Sequence, residues 1–293
     1  MTILGLVKLP KIRPIIPQTA EEAVTNIHER TRAAYLAGGT YVVPMLKSRN
    51  LQLESLVDIS GLDELRYIKQ NGEIIRVGAL TTHAELISYE ATSDIPAFRR
   101  FKEKYTSPIA MNLATVGGSV ALSQASEDLI PILLTLNANV TILTRGGRET
   151  VNLCNYLEKK ETYGKFLIEE IYFKLPKAPA LCEFEKISLS ISRIPLAGVA
   201  VNLETEGGKV KECRIAVNFC NGFKPGRVAA VEQKLKGIKI TEDVIDEVSQ
   251  LLKEHINPAG DFLASAWYRK EASAALLKKM LNRMFGFQME KGE

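Results

Sequence analysis

An α+β fold in three units is what this sequence predicts, and three observations predict it. Helix starts with hydroxyl caps alternate with short β-branched runs. Two double glycines join strand-like runs in the manner of hairpins. A proline-interrupted stretch, Lys174-Leu-Pro-Lys-Ala-Pro-Ala180, breaks any ladder between the middle of the chain and its end. The expected units are a small α/β piece over 1–57, a larger mixed piece over 58–176, and a C-terminal sheet with helices over 177–293. The first boundary falls near Val57-Asp-Ile-Ser-Gly61.

The elements follow in order. Thr19-x-x-Glu22 and Thr82-x-x-Glu85 read as capping boxes, in which hydroxyl and carboxylate satisfy orphan backbone donors at a helix start. Strands are expected where branched residues run or alternate: 73–80, 140–144 and 195–204. Thr241-Glu-Asp opens a helix through Val244, Ile245, Val248, Leu251 and Leu252, which Asn257-Pro258 ends. In the last segment Leu276, Leu277, Met280, Leu281, Met284 and Phe285 recur at helical spacing with Lys and Arg on the other side. That basic side is a solvated helix face, not a nucleic-acid or membrane surface.

Composition excludes several classes. With 46% hydrophobic and 25% charged residues, the 293-residue chain can bury a substantial core. No apolar run approaches the roughly 20 residues of a membrane span. The opening MTILGLVKLPKIRP meets Pro10 and Pro14 too soon for a signal peptide, so a cytoplasmic protein is expected. Cys154, Cys182, Cys213 and Cys220 form no C-x-x-C pair, and free, mostly buried thiols are expected. His28, His83 and His255 are scattered, so no protein-built metal centre is expected. There is no G-x-S-x-G nucleophile elbow and no legible Cys–His pairing.

Four double glycines divide into two kinds. Gly146-Gly147 and Gly207-Gly208 sit among charged residues between strand runs and read as hairpin turns. Gly38-Gly39, in "LAGGTYVVPMLK", and Gly117-Gly118, in "ATVGGSVALSQASED", have an apolar residue before and a hydroxyl directly after. Lacking Cβ, such pairs let successive amides face one side and approach an anion closely. Taken singly, either pair reads better as a tight turn or a close-packing site. Two with the same pattern, about 80 positions apart, suggest a bipartite phosphate cradle. It is neither a Rossmann fingerprint nor a P-loop.

Read in order, the segments "AGGTYVVPMLK", "VGALTTHAEL", "ATVGGSVALSQASED", "DLIPILLTLNANV" and "DFLASAWYRKEASAALL" resemble the FAD-binding subunit of the molybdenum hydroxylases, the xanthine dehydrogenase and carbon monoxide dehydrogenase group. The resemblance runs through nearly the whole chain. It implies a vanillyl-alcohol-oxidase-type FAD-binding domain of two α/β subdomains, followed by a C-terminal α+β domain with an antiparallel sheet. It implies FAD as cofactor, with Leu36, Ala37, Gly38, Gly39, Thr40, Tyr41, Val42 and Val43 wrapping the pyrophosphate from one loop. Thr115, Val116, Gly117, Gly118 and Ser119 are implied to do so from the other. Asp128 matches the acidic residue at the adenosine end, Tyr105 an aromatic position near the cofactor, Ile168 the adenine pocket, and Lys186, in "FEKIS", a lysine of the same site. No residue is expected to act as nucleophile or general acid–base. The implied activity is an oxidoreductase subunit that takes electrons from [2Fe–2S] clusters and passes them to NAD+, a quinone or oxygen. The implied partners are an iron–sulfur small subunit and a molybdopterin-binding large subunit, with no nucleic acid.

Second readings stand beside these. Asp128 is also placed as a helix N-cap, Tyr105 as core, Lys186 as a surface or ion-paired strand residue, and His83 as a structural residue in the first turn of a capped helix. Four departures from the family pattern stand out: Tyr41, Ile109-Ala-Met-Asn112, Ser119 and Arg193-Ile-Pro195. They keep open two alternatives, an assembly subunit with a degenerate flavin site and a stand-alone FAD-dependent reductase.

Overall fold

The structure, a computed structural model, describes residues 11–105, 107–176, 181–189 and 194–287. Arg193 and most of the proline-rich stretch before Leu181 lie outside the described residues.

Three sheets carry the chain. The first is parallel, from β1 (Arg13–Ile15), β2 (Ala33–Leu36) and β3 (Ser55–Asp58), with β3 in the middle. Parallel neighbours need crossovers, and α1 (Ala20–His28) and α2 (Val42–Lys47) supply them. Ala20, Ala23, Val24 and Ile27 of α1 are buried with Val57, Ile59 and Leu62. Thr19 caps α1 through the Glu22 N–H, but the Glu22 carboxylate takes the Gln18 N–H at 2.7 Å, one residue short of the reciprocal box expected there. The full box forms at Thr82–Glu85.

The second sheet is antiparallel, in the order β4 (Ile68–Asn71), β5 (Ile74–Gly78), β8 (Leu167–Lys174), β6 (Asn139–Thr144), β7 (Gly147–Asn152). Between β5 and β6 the chain makes six helices: α3 (His83–Ser88), α4 (Glu90–Ser93), α5 (Pro96–Glu103), α6 (Pro108–Leu113), α7 (Val116–Leu122) and α8 (Leu129–Thr135). The seven-residue α9 (Leu153–Lys159) leads to β8. As the charged neighbours of Gly146-Gly147 suggest, β6 and β7 close a hairpin with Thr144 opposite Gly147.

The third sheet runs β12 (Lys224–Arg227), β11 (Lys209–Gly222), β10 (Ala197–Glu206), β9 (Leu181–Ile187), all antiparallel. Gly207 and Gly208, at φ +59° and +76°, turn β10 into β11 as a two-residue hairpin. Asn257–Pro258, beyond simply ending a helix, forms the two-residue β13, parallel to the end of β11. The helices α10 (Ala229–Leu235), α11 (Glu242–His255) and α12 (Ala266–Phe285) cover one face, burying Val231, Ile245, Val248, Leu252, Leu277 and Leu281 against Val199, Val201 and Ile215. The alternate residues Phe184, Ala200 and Ala216 point the other way, into the core of the second sheet's helices. Through that shared core, side chains of the third sheet reach the loops of the middle region. The four cysteines are free; Cys182 and Cys213 are buried, Cys154 and Cys220 half-buried. Among the described residues, no group of His, Cys, Asp and Glu is placed to hold a metal ion.

Candidate functional site

The two glycine loops meet. Gly38 lies so close to the lead-in of the second loop that a Cβ built on it would stand 1.6 Å from the Leu113 carbonyl oxygen. Only glycine allows that approach. Gly39 follows in the left-handed region at φ +69°. Among the described residues, no N–H of Gly38, Gly39, Thr40, Tyr41 or Val42 has a hydrogen-bond partner. Open amides of this kind are donors waiting for an acceptor.

The second loop is built differently. Thr115 and Thr82 form a β-bridge that holds it against the start of α3. Val116 N–H donates to the Thr81 carbonyl at 2.9 Å, Gly117 N–H to Ala79 at 2.9 Å, Gly118 N–H to the Thr115 hydroxyl at 3.1 Å, and Ser119 N–H to the Thr115 carbonyl at 3.0 Å. A Cβ on Gly117 would lie 2.5 Å from that of Ala79. Here the glycines permit close packing of α7 on the end of β5, and the amides are already engaged.

Both loops face one cleft of about 460 Å³, within the usual range for a small-molecule site. Of the residues expected at the site, Ala37, Gly38, Gly39, Thr40, Tyr41, Val42, Tyr105, Thr115, Gly117, Gly118, Ser119, Asp128 and Ile168 line it. Leu36, Val43, Val116 and Lys186 do not line it; Val116 and Lys186 are buried, Leu36 and Val43 half-buried. The remaining lining is mostly apolar, with Ile59, Leu80, Phe166 and Leu167 beside Ile168. Sequence reasoning missed Glu127, which also lines the cleft, and Tyr35, whose buried hydroxyl has no partner among the described residues. Tyr35 was findable, since it directly precedes "LAGG" at the end of a strand.

Asp128 holds the N-cap position of α8, yet its side chain makes no cap bond. It pairs instead with Lys186 Nζ at 2.5 Å, with Asn218 Nδ2 at 3.5 Å. The Lys186 side chain is 2% exposed. The third sheet makes this possible. Gly198 is paired with Lys186, and a Cβ on it would fall 2.0 Å from Asn218 Oδ1. Its bare backbone leaves room for the side chains of both neighbouring strands to reach the Asp128 loop. Burial raises the Asp128 pKa, and the Lys186 ammonium opposes that shift. The ion-paired reading of Lys186 holds, and the surface reading fails because its side chain is buried against Asp128.

A chain of polar groups runs along the same wall. Tyr105, edge-on to Phe101 and His83, brings its hydroxyl 2.7 Å from His83 Nδ1. His83 Nε2 lies 3.0 Å from Ser119 Oγ, and the Ser119 hydroxyl in turn opposes the upward shift that burial imposes on Glu127. His83 is 3% exposed, and burial pushes its imidazole down to about 4, so the ring is neutral at physiological pH. That agrees with a structural His83 on a capped helix. Burial raises the Tyr105 phenol, aided by the Glu127 and Asp128 charges. Burial also pushes the Glu127 carboxyl up to about 7, with Asp128 adding to the shift.

An apolar cleft with open amides, an orphan tyrosine hydroxyl and a floor held by a buried ion pair fits an aromatic dinucleotide. The sequence agrees at the level of family: residues 10–174 match the FAD binding domain in molybdopterin dehydrogenase, and residues 184–284 the CO dehydrogenase flavoprotein C-terminal domain. The chain belongs to the FAD-binding family of the molybdopterin dehydrogenases. Within that family it is 25% identical over 278 residues to the glyceraldehyde dehydrogenase medium chain of Sulfolobus acidocaldarius, covering 92% of this chain and 97% of the relative. It is 26% identical over 277 residues to the nicotinate dehydrogenase FAD-subunit of Eubacterium barkeri, covering 90% and 93%. The fold superposes with TM-score 0.87 at 24% identity on a chain of the carbon monoxide dehydrogenase from Hydrogenophaga pseudoflava, over 96% of this chain and 100% of that one. FAD is the cofactor of this family, and the chain is an oxidoreductase subunit.

Proposed function

We propose that this member of the family is the electron-transfer flavoprotein subunit of a multi-subunit molybdenum hydroxylase. One observation carries the reading: two glycine loops about 80 residues apart converge on a single cleft with open backbone donors. In the proposed arrangement Gly38 to Val42 hold the pyrophosphate through their amides, and Thr115 and Ser119 add hydroxyls from the second loop. Asp128, steadied by Lys186, takes the adenosine end, Ile168 packs on adenine, and Tyr105 supplies an aromatic edge. Bound FAD supplies the redox chemistry, while the protein binds, orients and excludes water. Electrons arrive from a [2Fe–2S] subunit, which receives them from a molybdopterin subunit, and leave to NAD+, a quinone or oxygen. We place the subunit in the cytoplasm; among the described residues no helix is long and apolar enough to cross a membrane. Residues 1–57 and 58–176 act as the two FAD-binding subdomains and 177–293 as the C-terminal domain.

A specific observation supports the alternative, an assembly subunit with a degenerate flavin site. Tyr41, Ala110, Ser119, Ile194 and Pro195, from all four departures, line this cleft. The test is a visible spectrum of the purified chain, with the released chromophore identified by mass. About one FAD per chain is expected, together with co-purification of an iron–sulfur and a molybdopterin subunit from the native source. A colourless chain that takes up no added FAD, yet still assembles with those partners, favours the assembly role. A flavin-loaded chain active alone points to a stand-alone reductase.

A further inference from the structure

The described lining of the cleft is short of positive charge. Among its described lining residues there is no lysine or arginine, and two carboxylates, Glu127 and Asp128, face it side by side. Lys186 does not line it and is committed to Asp128. No described cation lies within ion-pair distance of Glu127. A dinucleotide brings its own negative pyrophosphate, so an ionised Glu127 in this enclosed site opposes it.

The backbone that carries Glu127 is pinned on several sides. Ser123 closes α7 in the left-handed region at φ +50°, and Ala125 is held on both sides. Its N–H donates to the Phe223 carbonyl at 2.9 Å and its carbonyl accepts from Asn218 Nδ2 at 2.8 Å. Glu127 N–H donates to the Gln124 carbonyl at 2.9 Å. The next residue is fixed by the buried ion pair. The groups facing the Glu127 carboxyl are Asp128 on its own segment and, from α7, the Ser119 hydroxyl. Beyond Ser119 stand the neutral His83 on α3 and the Tyr105 phenol after α5.

The hydrogen-bond chain accepts either protonation state. With Glu127 ionised, Tyr105 O–H donates to Nδ1, Nε2–H to Ser119, and Ser119 O–H to the carboxylate. With Glu127 protonated every bond reverses, and the carboxyl O–H donates to Ser119. In the reversed direction Nδ1–H donates to Tyr105, whose own O–H is left facing the cleft that Tyr105 lines.

We propose that Glu127 is a cofactor-facing residue of this cleft that carries a proton when the dinucleotide is bound, so that FAD binding draws one proton into the site. The inference rests on the cleft being the FAD site. Binding is then coupled to pH through this residue. The upward displacement of the Glu127 pKa to about 7 puts the change in the physiological range.

The experiment is FAD titration of the full-length chain, freed of flavin, followed by flavin fluorescence between about pH 5.5 and 8.5. The apparent Kd is expected to be flat below pH 7 and to rise towards tenfold per pH unit above it, as linkage to one proton requires. Calorimetry in two buffers of different ionisation enthalpy should show uptake approaching one proton per FAD at pH 8 and close to none at pH 5.5. Glu127→Gln should bind FAD tightly with no slope above pH 7. A wild-type Kd that does not change with pH overturns the inference, as does a slope that survives in Glu127→Gln. Should that variant fail to fold, the wild-type profile and proton count decide alone. Failure to bind FAD at any pH instead overturns the reading of the cleft on which the inference stands.

Discussion

The two cleft-facing glycine pairs share a sequence pattern and do different physical work. The Gly38-Gly39 loop carries amides with no partner among the described residues and a left-handed turn, and at Gly38 the Leu113 carbonyl leaves no room for a Cβ. The Gly117-Gly118 segment is a helix start whose amides are already bonded to Ala79, Thr81 and Thr115, and whose glycines allow α7 to pack on β5. One pair keeps donors free; the other brings a wall into place. The lesson is that a missing Cβ serves ligand approach in one setting and backbone packing in another.

The sharpest way to break this comparison is to add one methyl to each pair. Gly38→Ala puts its Cβ on a backbone oxygen that cannot rotate away, and the flavin-free chain is expected to lose about 4 kcal/mol or more, or not to accumulate folded. Gly117→Ala meets the Ala79 Cβ at 2.5 Å and its carbonyl oxygen at 2.8 Å, a lesser overlap than at Gly38, and should cost less, about 1–3 kcal/mol, as overpacking does. Urea denaturation of both variants measures the difference; equal losses would erase the distinction.

The next effect concerns the anchor of the second loop. Lys186→Met strands the Asp128 carboxylate in a buried site and should destabilise the flavin-free chain by about 3–5 kcal/mol at pH 7. Adding Asp128→Asn to that variant should recover most of the loss. A Lys186→Met protein as stable as the parent would mean the pair does not hold the loop.

A smaller effect sharpens the electrostatics of the same wall. Glu127, raised from 4.5 to about 7, keeps a proton in the folded state that the unfolded chain has released. Its contribution to stability therefore falls as pH rises through that interval. His83, lowered from 6.5 to about 4, resists protonation when folded, so its contribution is lost as pH falls from 6.5 towards 4. Between 4.5 and 6.5 the two slopes oppose each other, and the flavin-free chain should be nearly level in stability. Glu127→Gln should unmask His83, giving a loss of about 3 kcal/mol on acidification from pH 6.5 to 4. Denaturant midpoints across pH read this directly, and a level profile in the variant would rule it out.

Much of the architecture was legible because local signals agreed with the tertiary result. Thr82 and Glu85 made their full box, Thr241 capped α11, and the charged double glycines turned hairpins. Glu22 departed because its carboxylate reaches Gln18 in preference to Thr19, a choice of rotamer that spacing does not encode. At the site, hydroxyl-flanked glycines marked both walls, but nothing local says that one set of amides is spent. Glu127 was passed over beside Asp128 because only its surroundings distinguish it: a wall with no cation among its described residues, and a loop pinned by Asn218 of β11.

The sequence by itself determined the periodic and capped elements, the hairpins, the free thiols and the family, since each is written in short runs or in their order. Tertiary structure alone decided which glycine amides stay open, that Lys186 and Asn218 reach past Gly198 to the Asp128 loop, and that all four departures reach one cleft. The reason is physical: burial, charge neutralisation and backbone satisfaction belong to groups brought together from distant parts of the chain. Asp128 and Lys186, 58 residues apart in sequence, acquire their character from each other and from the water they exclude.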